Sequence, residues 1–342
     1  MQIIDNPHRG QGIGIPDIPL PGSDASAPLG LLNRCPAHAQ TPLVDAPGLA
    51  EAFGVAQVRV KDERTRMGLG SFKALGAAYV IAHAAQAAGG RLDGACFVTA
   101  SAGNHGLSVA AGAKVFGARA VIYLSETVPE GFAIRLRDKG AEVVRSGHDY
   151  EASMQAAHDA AVTQGWTLLS DSSWEGYVDA PHRLMEGYLA LASECVDAMD
   201  APPTHILLHA GVGGLAGACA ALFRDRWGDG PRIVVVEPEA APCLFESIRA
   251  GEAVETVGPV SSMGRLDCKA PSLIALRGLA RDADDFALIS EAEAAAVLPL
   301  LAEAGLESTP SGAAGLAAAL ADPQLLGLAP DSRVLAILSE AA

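Results

Sequence analysis

Four short stretches carry residue types that can do chemistry. The first is Lys73, set among Gly70, Ser71, Phe72, Ala74, Leu75 and Gly76. Most lysines are solvated surface side chains. An apolar setting of this kind disfavours the ammonium and frees the neutral amine. Such an amine forms an imine with a carbonyl and, once released, serves as a base. The second stretch is Gly211-Val212-Gly213-Gly214-Leu215-Ala216-Gly217. It follows an apolar run and opens a helical one, so backbone N–H groups and the helix dipole converge on an anion. The spacing suits a phosphate monoester cradle, a dinucleotide fingerprint or a plain packing turn. Its place two-thirds along the chain, before a strand ending in Glu237-Pro238, disfavours the dinucleotide.

The third stretch is Ser101-Ala102-Gly103-Asn104-His105-Gly106. It is another N–H-rich turn, in which the amides suit a carboxylate and Asn104 suits a ring hydroxyl. His105 reads as structural, since the turn already explains a polar residue there. The fourth is Asp171-Ser172-Ser173-Trp174-Glu175-Gly176-Tyr177. Its aspartate is either an Asx-turn or capping residue or an acid facing a ligand.

Elements that would position these stretches are legible in the patterning. A strand at 55–60 leads through the turn 66–70 to a helix at 72–88, with Ser71 as its N-cap. Apolar strands are expected at 96–99, 120–124, 141–144, 166–169, 204–209, 233–236 and 334–338. Helices are expected at 107–116, 129–139, 150–164, 186–198, 291–304 and 311–320, with another after the 211–217 loop. Strand–helix–strand repeats of this length imply right-handed crossovers and a parallel α/β fold. Residues 1–40 read as an irregular arm that could strap an interface. No flexible linker separates the repeats, so any lobes are interleaved.

The chain has 342 residues, 50% hydrophobic and 5% aromatic, with a formal net charge of −16. That length suits two lobes or one large α/β unit. The acidic balance argues against nucleic acid and against an anionic membrane. The N-terminus lacks a basic segment followed by an apolar run, so a cytoplasmic protein is expected. Six cysteines show no C-x-x-C spacing, so neither a metal cage nor a disulfide scaffold is expected.

Together, in this order and spacing, these motifs resemble the fold type II pyridoxal-phosphate (PLP) enzymes, the tryptophan synthase β-subunit/threonine dehydratase superfamily. Within it, Arg66 to Lys73, Gly103-Asn104-His105-Gly106, the Asp171–Tyr177 stretch, Ala210 to Gly217 and Val236-Glu237-Pro238 resemble the diaminopropionate ammonia-lyase family. The resemblance spans about residues 40 to 340. It implies an α/β fold of two lobes, each on a mostly parallel sheet, with PLP in the cleft between them. A large PLP-binding domain would comprise 1–86 plus 191–342, and a small inserted domain 87–190. Relatives are usually homodimers.

By the same resemblance, Lys73 is the Schiff-base lysine and the base that removes the Cα proton. Phe72 packs on the cofactor ring and Asn104 binds its 3-oxygen. Gly211, Val212, Gly213, Gly214 and Leu215 hold the phosphate, and Ser339 faces the pyridine nitrogen. A neutral hydroxyl there leaves that nitrogen unprotonated, which favours elimination over transamination. Ser101, Ala102 and Asn104 hold the substrate carboxylate, and Asp171 approaches the substrate, where it can pair with a β-ammonium. The implied reaction is elimination of ammonia from L-2,3-diaminopropionate to pyruvate and two ammonia. A serine/threonine-type dehydratase is the near alternative, and a PLP-binding module without catalysis a remote one.

One departure stands out. The family typically has an aspartate before the glycine of this loop, credited with the D-isomer's proton. Here it is Ala102, which accepts no proton, so turnover is expected for L-substrates only. The counterparts of Cys243 and Cys268 pair in some relatives. Both look loop-borne here, and free thiols are expected.

Overall fold

A computed structural model describes residues 1–342. Eleven strands form two sheets: β1 (Gln2–Asp5), β2 (Leu43–Asp45), β3 (Gln57–Asp62), β4 (Cys96–Ala100), β5 (Arg119–Leu124), β6 (Glu142–Arg145), β7 (Thr167–Leu168), β8 (His205–His209), β9 (Arg232–Pro238), β10 (Asp285–Ile289) and β11 (Arg333–Leu338). The larger sheet runs β1-β10-β9-β8-β11-β3-β2 and the smaller β6-β5-β4-β7. Every pairing is parallel except the two edges of the large sheet, β1 on β10 and β2 on β3.

The strands are apolar on both faces because both faces are covered. Side chains alternate, so Ile206, Leu208, Ile233, Val235 and Leu335 enter the main core. Their neighbours Leu207, Val234, Val236, Val334 and Ala336 enter a second core on the opposite face. The small sheet repeats the device, with Phe97, Ala120 and Ile122 facing the main core and Val98, Ala100 and Val121 a third cluster. No helix is long and apolar enough to cross a membrane.

Several sequence expectations are corrected. The N-terminal arm is not irregular throughout. Gln2–Asp5 closes the sheet edge, and the Asn6 amide donates to the carbonyls of Ala280 and Ala283 at 2.9 and 2.7 Å, capping a helix end. A four-residue strand pairing with a distant partner leaves no local periodicity to detect. Ser71 is not the N-cap of the lysine helix. That helix is Lys73–Ala87, its cap position is Phe72, and no side chain caps it. The helix expected at 291–304 is two, Glu291–Ala296 and Leu298–Glu303, the second with Pro299 in its first turn. The helix expected from 186 begins at Asp179. Cys243 does not lie in a loop; it starts the helix Cys243–Ala250 and is buried.

The helices Lys73–Ala87 and Asp179–Asp197 cross at two glycines. A Cβ on Gly76 would lie 2.8 Å from Leu184 and Tyr188 side-chain atoms, and one on Gly187 would lie 2.7 Å from the Leu75 carbonyl. Backbone contact at this crossing brings Tyr188 against Phe72, with ring centroids 4.9 Å apart.

Candidate active site

Each stretch singled out above follows the C-terminal end of a parallel strand, where open α/β sheets bind ligands. Ser101 follows β4, Asp171 follows β7, Gly211 follows β8 and Ser339 follows β11. Lys73 follows β3 after a strained turn, in which Met67 has φ +52°, followed by Gly68 and Gly70 at +67° and +81°. Left-handed backbone is rare in a non-glycine residue. Here it is held by the buried guanidinium of Arg66, which donates to Glu63 at 2.7 Å and Glu194 at 2.7 Å.

Lys73 Nζ donates to the Asp171 carboxylate, and both side chains are 22% exposed. The amine lies 5.1 Å from the Phe72 ring centroid and 5.9 Å from that of Tyr188. Burial works against the lysine's charge, but Asp171 outweighs it and holds the ammonium above the ordinary lysine range. Burial likewise opposes the Asp171 charge, and Lys73 and His105 together push that carboxyl well below its usual range. The expectation of a neutral amine from an apolar setting is therefore corrected: the counter-ion Asp171 reverses the effect of desolvation. Asp171 caps no helix, and the Ser173 N–H that an Asx turn would need donates to Ser272 Oγ instead.

The turn that carries Asp171 is tied to the glycine loop. Ser173 Oγ and Ser272 Oγ lie 2.7 Å apart, and Ser272 N–H donates to the Val212 carbonyl at 3.0 Å. Trp174 stacks on Tyr177 at 4.3 Å, and the Tyr177 hydroxyl donates to the Leu168 carbonyl at 3.0 Å. Gly213 has φ +96°, and a side chain there would sit 3.0 Å from Ala275 and Leu244. The loop is thus both tight and conformationally suited to glycine. The N–H groups of Gly213, Gly214, Leu215 and Ala216 make no hydrogen bond within the protein.

The remaining positions fall around the same point. The Asn104 amide donates to Glu340, which uses one of its two hydrogens. The N–H groups of Ala102 and Asn104 have no protein acceptor. His105 is buried, 2.7 Å from the Leu169 carbonyl through Nε2, and burial lowers its pKa. The Ser339 carbonyl accepts from Phe72 N–H at 3.1 Å, and its hydroxyl lies 2.8 Å from His209 Nε2. Cys243 and Cys268 are free thiols, both beside Gly211.

PLP fits what these residues offer. Its phosphate matches four unpaired N–H groups at a helix start, its 3-oxygen the second hydrogen of Asn104, and its aldehyde an amine beside an aromatic ring. Sequence reasoning missed Tyr188, Arg265, Glu340 and His209. Tyr188 reads as one more core position of a helix. The Arg265 guanidinium lies 3.3 Å from where a Cβ on Gly103 would be, and 3.5 Å from Glu340. Nothing local in Gly264-Arg265-Leu266 announces that contact.

The sheet order and this ring of strand ends define a fold type II PLP enzyme. The chain belongs to the pyridoxal-phosphate dependent enzyme family, whose profile matches residues 35–340. It is 34% identical to diaminopropionate ammonia-lyase of Salmonella typhimurium over 281 residues, 75% of this chain and 70% of the relative. It superposes with a TM-score of 0.89 on a crystal structure of Escherichia coli diaminopropionate ammonia lyase holding an aminoacrylate–PLP azomethine reaction intermediate. That match is 30% identical and covers 99% of this chain and 93% of the other. A mouse serine dehydratase-like protein is more distant, 29% identical over 231 residues, 67% of this chain and 65% of the relative.

Proposed function

We propose that this protein eliminates ammonia from a small L-amino acid, foremost L-2,3-diaminopropionate, which with one water yields pyruvate and two ammonia. The observation that carries the reading is the ion pair between Lys73 and Asp171. It puts a base and a fixed negative charge side by side where a substrate would react. Both near relatives named above as ammonia-lyases agree with it.

Bound PLP supplies an electron sink for the pair left when a Cα–H bond breaks. The chain's own groups do the rest. Lys73 Nζ, once it has shed the proton that Asp171 stabilises in the unloaded protein, takes the Cα proton. Asp171, held ionised, pairs with a β-ammonium and so selects a diamino acid over serine. The amides of Ser101, Ala102 and Asn104 hold the substrate carboxylate. Phe72 packs on the cofactor ring, Asn104 binds the 3-oxygen, Gly211 to Leu215 bind the phosphate and Ser339 faces the pyridine nitrogen. Ala102 presents no carboxylate to the opposite face, so D-substrates lack a base.

On this reading the two sheets belong to two lobes, 1–86 plus 191–342 and 87–190, that meet at the site. The protein works in the cytoplasm as a homodimer. The rival reading, a hydroxy amino acid dehydratase, draws on the Ser-Ala-Gly-Asn loop at 101–104. A screen of L- and D-diaminopropionate, serine and threonine, with oxo acid and ammonia both measured, decides. Two ammonia per pyruvate from the L-diamino acid alone supports the proposal. Faster turnover of serine or threonine favours the rival, and equal rates on both diaminopropionate enantiomers overturn the role given to Ala102.

A further inference from the structure

His209 ends β8 and Ser339 follows β11, neighbouring strands of the large sheet. The imidazole Nε2 lies 2.8 Å from Ser339 Oγ, and this is the only hydrogen bond that hydroxyl makes. The two residues are 3% and 4% exposed. The other ring nitrogen, Nδ1, is buried with no partner. Burial pushes the His209 pKa down to about 4, so near neutral pH the ring carries a single N–H.

Two tautomers compete for that hydrogen. With it on Nδ1, a buried N–H is orphaned and Ser339 must donate to Nε2. With it on Nε2, the ring donates to Ser339 and Nδ1 is merely an unfilled acceptor. Orphaned buried N–H groups are rarer than underused acceptors. The Nε2–H form therefore prevails. Ser339 then accepts from His209, and its own hydrogen has no acceptor within the protein.

We propose that His209 is a positioning residue for the cofactor: by donating to Ser339 Oγ it turns the serine hydrogen outward, onto the pyridine nitrogen of PLP. The inference rests on the placement of Ser339 given under Proposed function. Its consequence is electronic. A nitrogen that accepts a hydrogen bond from a neutral hydroxyl stays unprotonated. The opposite tautomer would leave Ser339 only a lone pair to offer, which a nitrogen meets only when it is protonated. A sheet-buried imidazole that never touches the ring thus sets its electron demand.

The test has two arms. In the first, protein labelled with ¹⁵N-histidine is loaded with PLP, and long-range ¹H–¹⁵N correlation reports the His209 tautomer, its signals assigned by their loss in His209→Gln. The Nε2–H pattern is expected; the Nδ1–H pattern overturns the inference. In the second, apparent PLP affinity is titrated on the apo forms. His209→Leu is expected to weaken it by about tenfold, roughly one hydrogen bond. His209→Gln, which keeps a donor, stays near wild type, and His209→Leu adds nothing in a Ser339→Ala background. If Ser339→Ala leaves affinity unchanged, the placement of Ser339 itself fails. If Ser339→Ala weakens affinity but His209→Leu does not, or their effects add, only the His209 inference fails. Should His209→Leu not fold, the tautomer measured in the wild type decides alone.

Discussion

Lys61 and Lys73 each face a carboxylate inside the protein, yet their surroundings differ in kind. Lys61 donates to Glu194 at 2.5 Å and to the Thr41 carbonyl at 2.7 Å. Arg66 joins them, with hydrogen bonds to Glu63, Glu194, Thr41 and the Ala39 carbonyl. Two positive and two negative groups balance, and only His38 Nε2, 4.0 Å from Glu194, lacks a close partner. Around Lys73 the opposite holds. Ser71 Oγ, Thr99 Oγ1, His105 Nδ1, Tyr188 OH and His209 Nδ1 are buried without partners, on the segments that converge on the site. Native proteins seldom leave buried polar atoms unpaired. The saturated cluster fixes the turn that carries the lysine, and the unsaturated one is shaped for a molecule that completes it.

That contrast can be broken at several points. The largest effect is expected from Lys73→Ala: turnover falls by up to about 10⁴-fold, the upper range for loss of a positioned base. A loss under tenfold would remove Lys73 from the chemistry. Next is Glu194→Ala, which leaves buried Lys61 without a carboxylate and Arg66 with Glu63 alone, and should destabilise the fold by about 3–5 kcal/mol. Urea unfolding measures it, and an unchanged midpoint would mean the cluster does not brace the turn. Asp171→Asn should then lower kcat/KM for L-diaminopropionate by roughly thirtyfold, about 2 kcal/mol for a lost buried charge contact. The loss on serine should be smaller, and equal losses on both would deny Asp171 its selective role.

The smallest effect is one of pH. Burial alone would raise the Glu194 carboxyl, but Arg66 and Lys61 hold it below its usual 4.5. A depressed carboxyl contributes stability above its unfolded value and loses it as pH falls through the folded one. Unfolding of the wild type should therefore become easier as pH drops below 4.5, and Glu194→Gln should show a shallower slope. Equal slopes would place the acid sensitivity elsewhere.

The parallel core and the motif positions were legible because they are local: apolar runs, glycine turns and a lysine at a helix start. The helix at 150–164 and its Gly165 cap are read directly from such signals. What escaped reading depends on distance along the chain. Gln2–Asp5 pairs with a strand some 280 residues away. Asp171 controls the Lys73 charge from 98 positions off, and His209 meets Ser339 across 130. Propensity says nothing of such pairings, so the lysine's protonation was misjudged although its place was not.

The most direct measurement is to reduce the PLP-loaded protein with borohydride and map the labelled peptide. Label on Lys73 alone is the expected result. Label on Lys61 or another lysine, or no label in a protein that binds PLP, would contradict the assignment of the unsaturated cluster as the site.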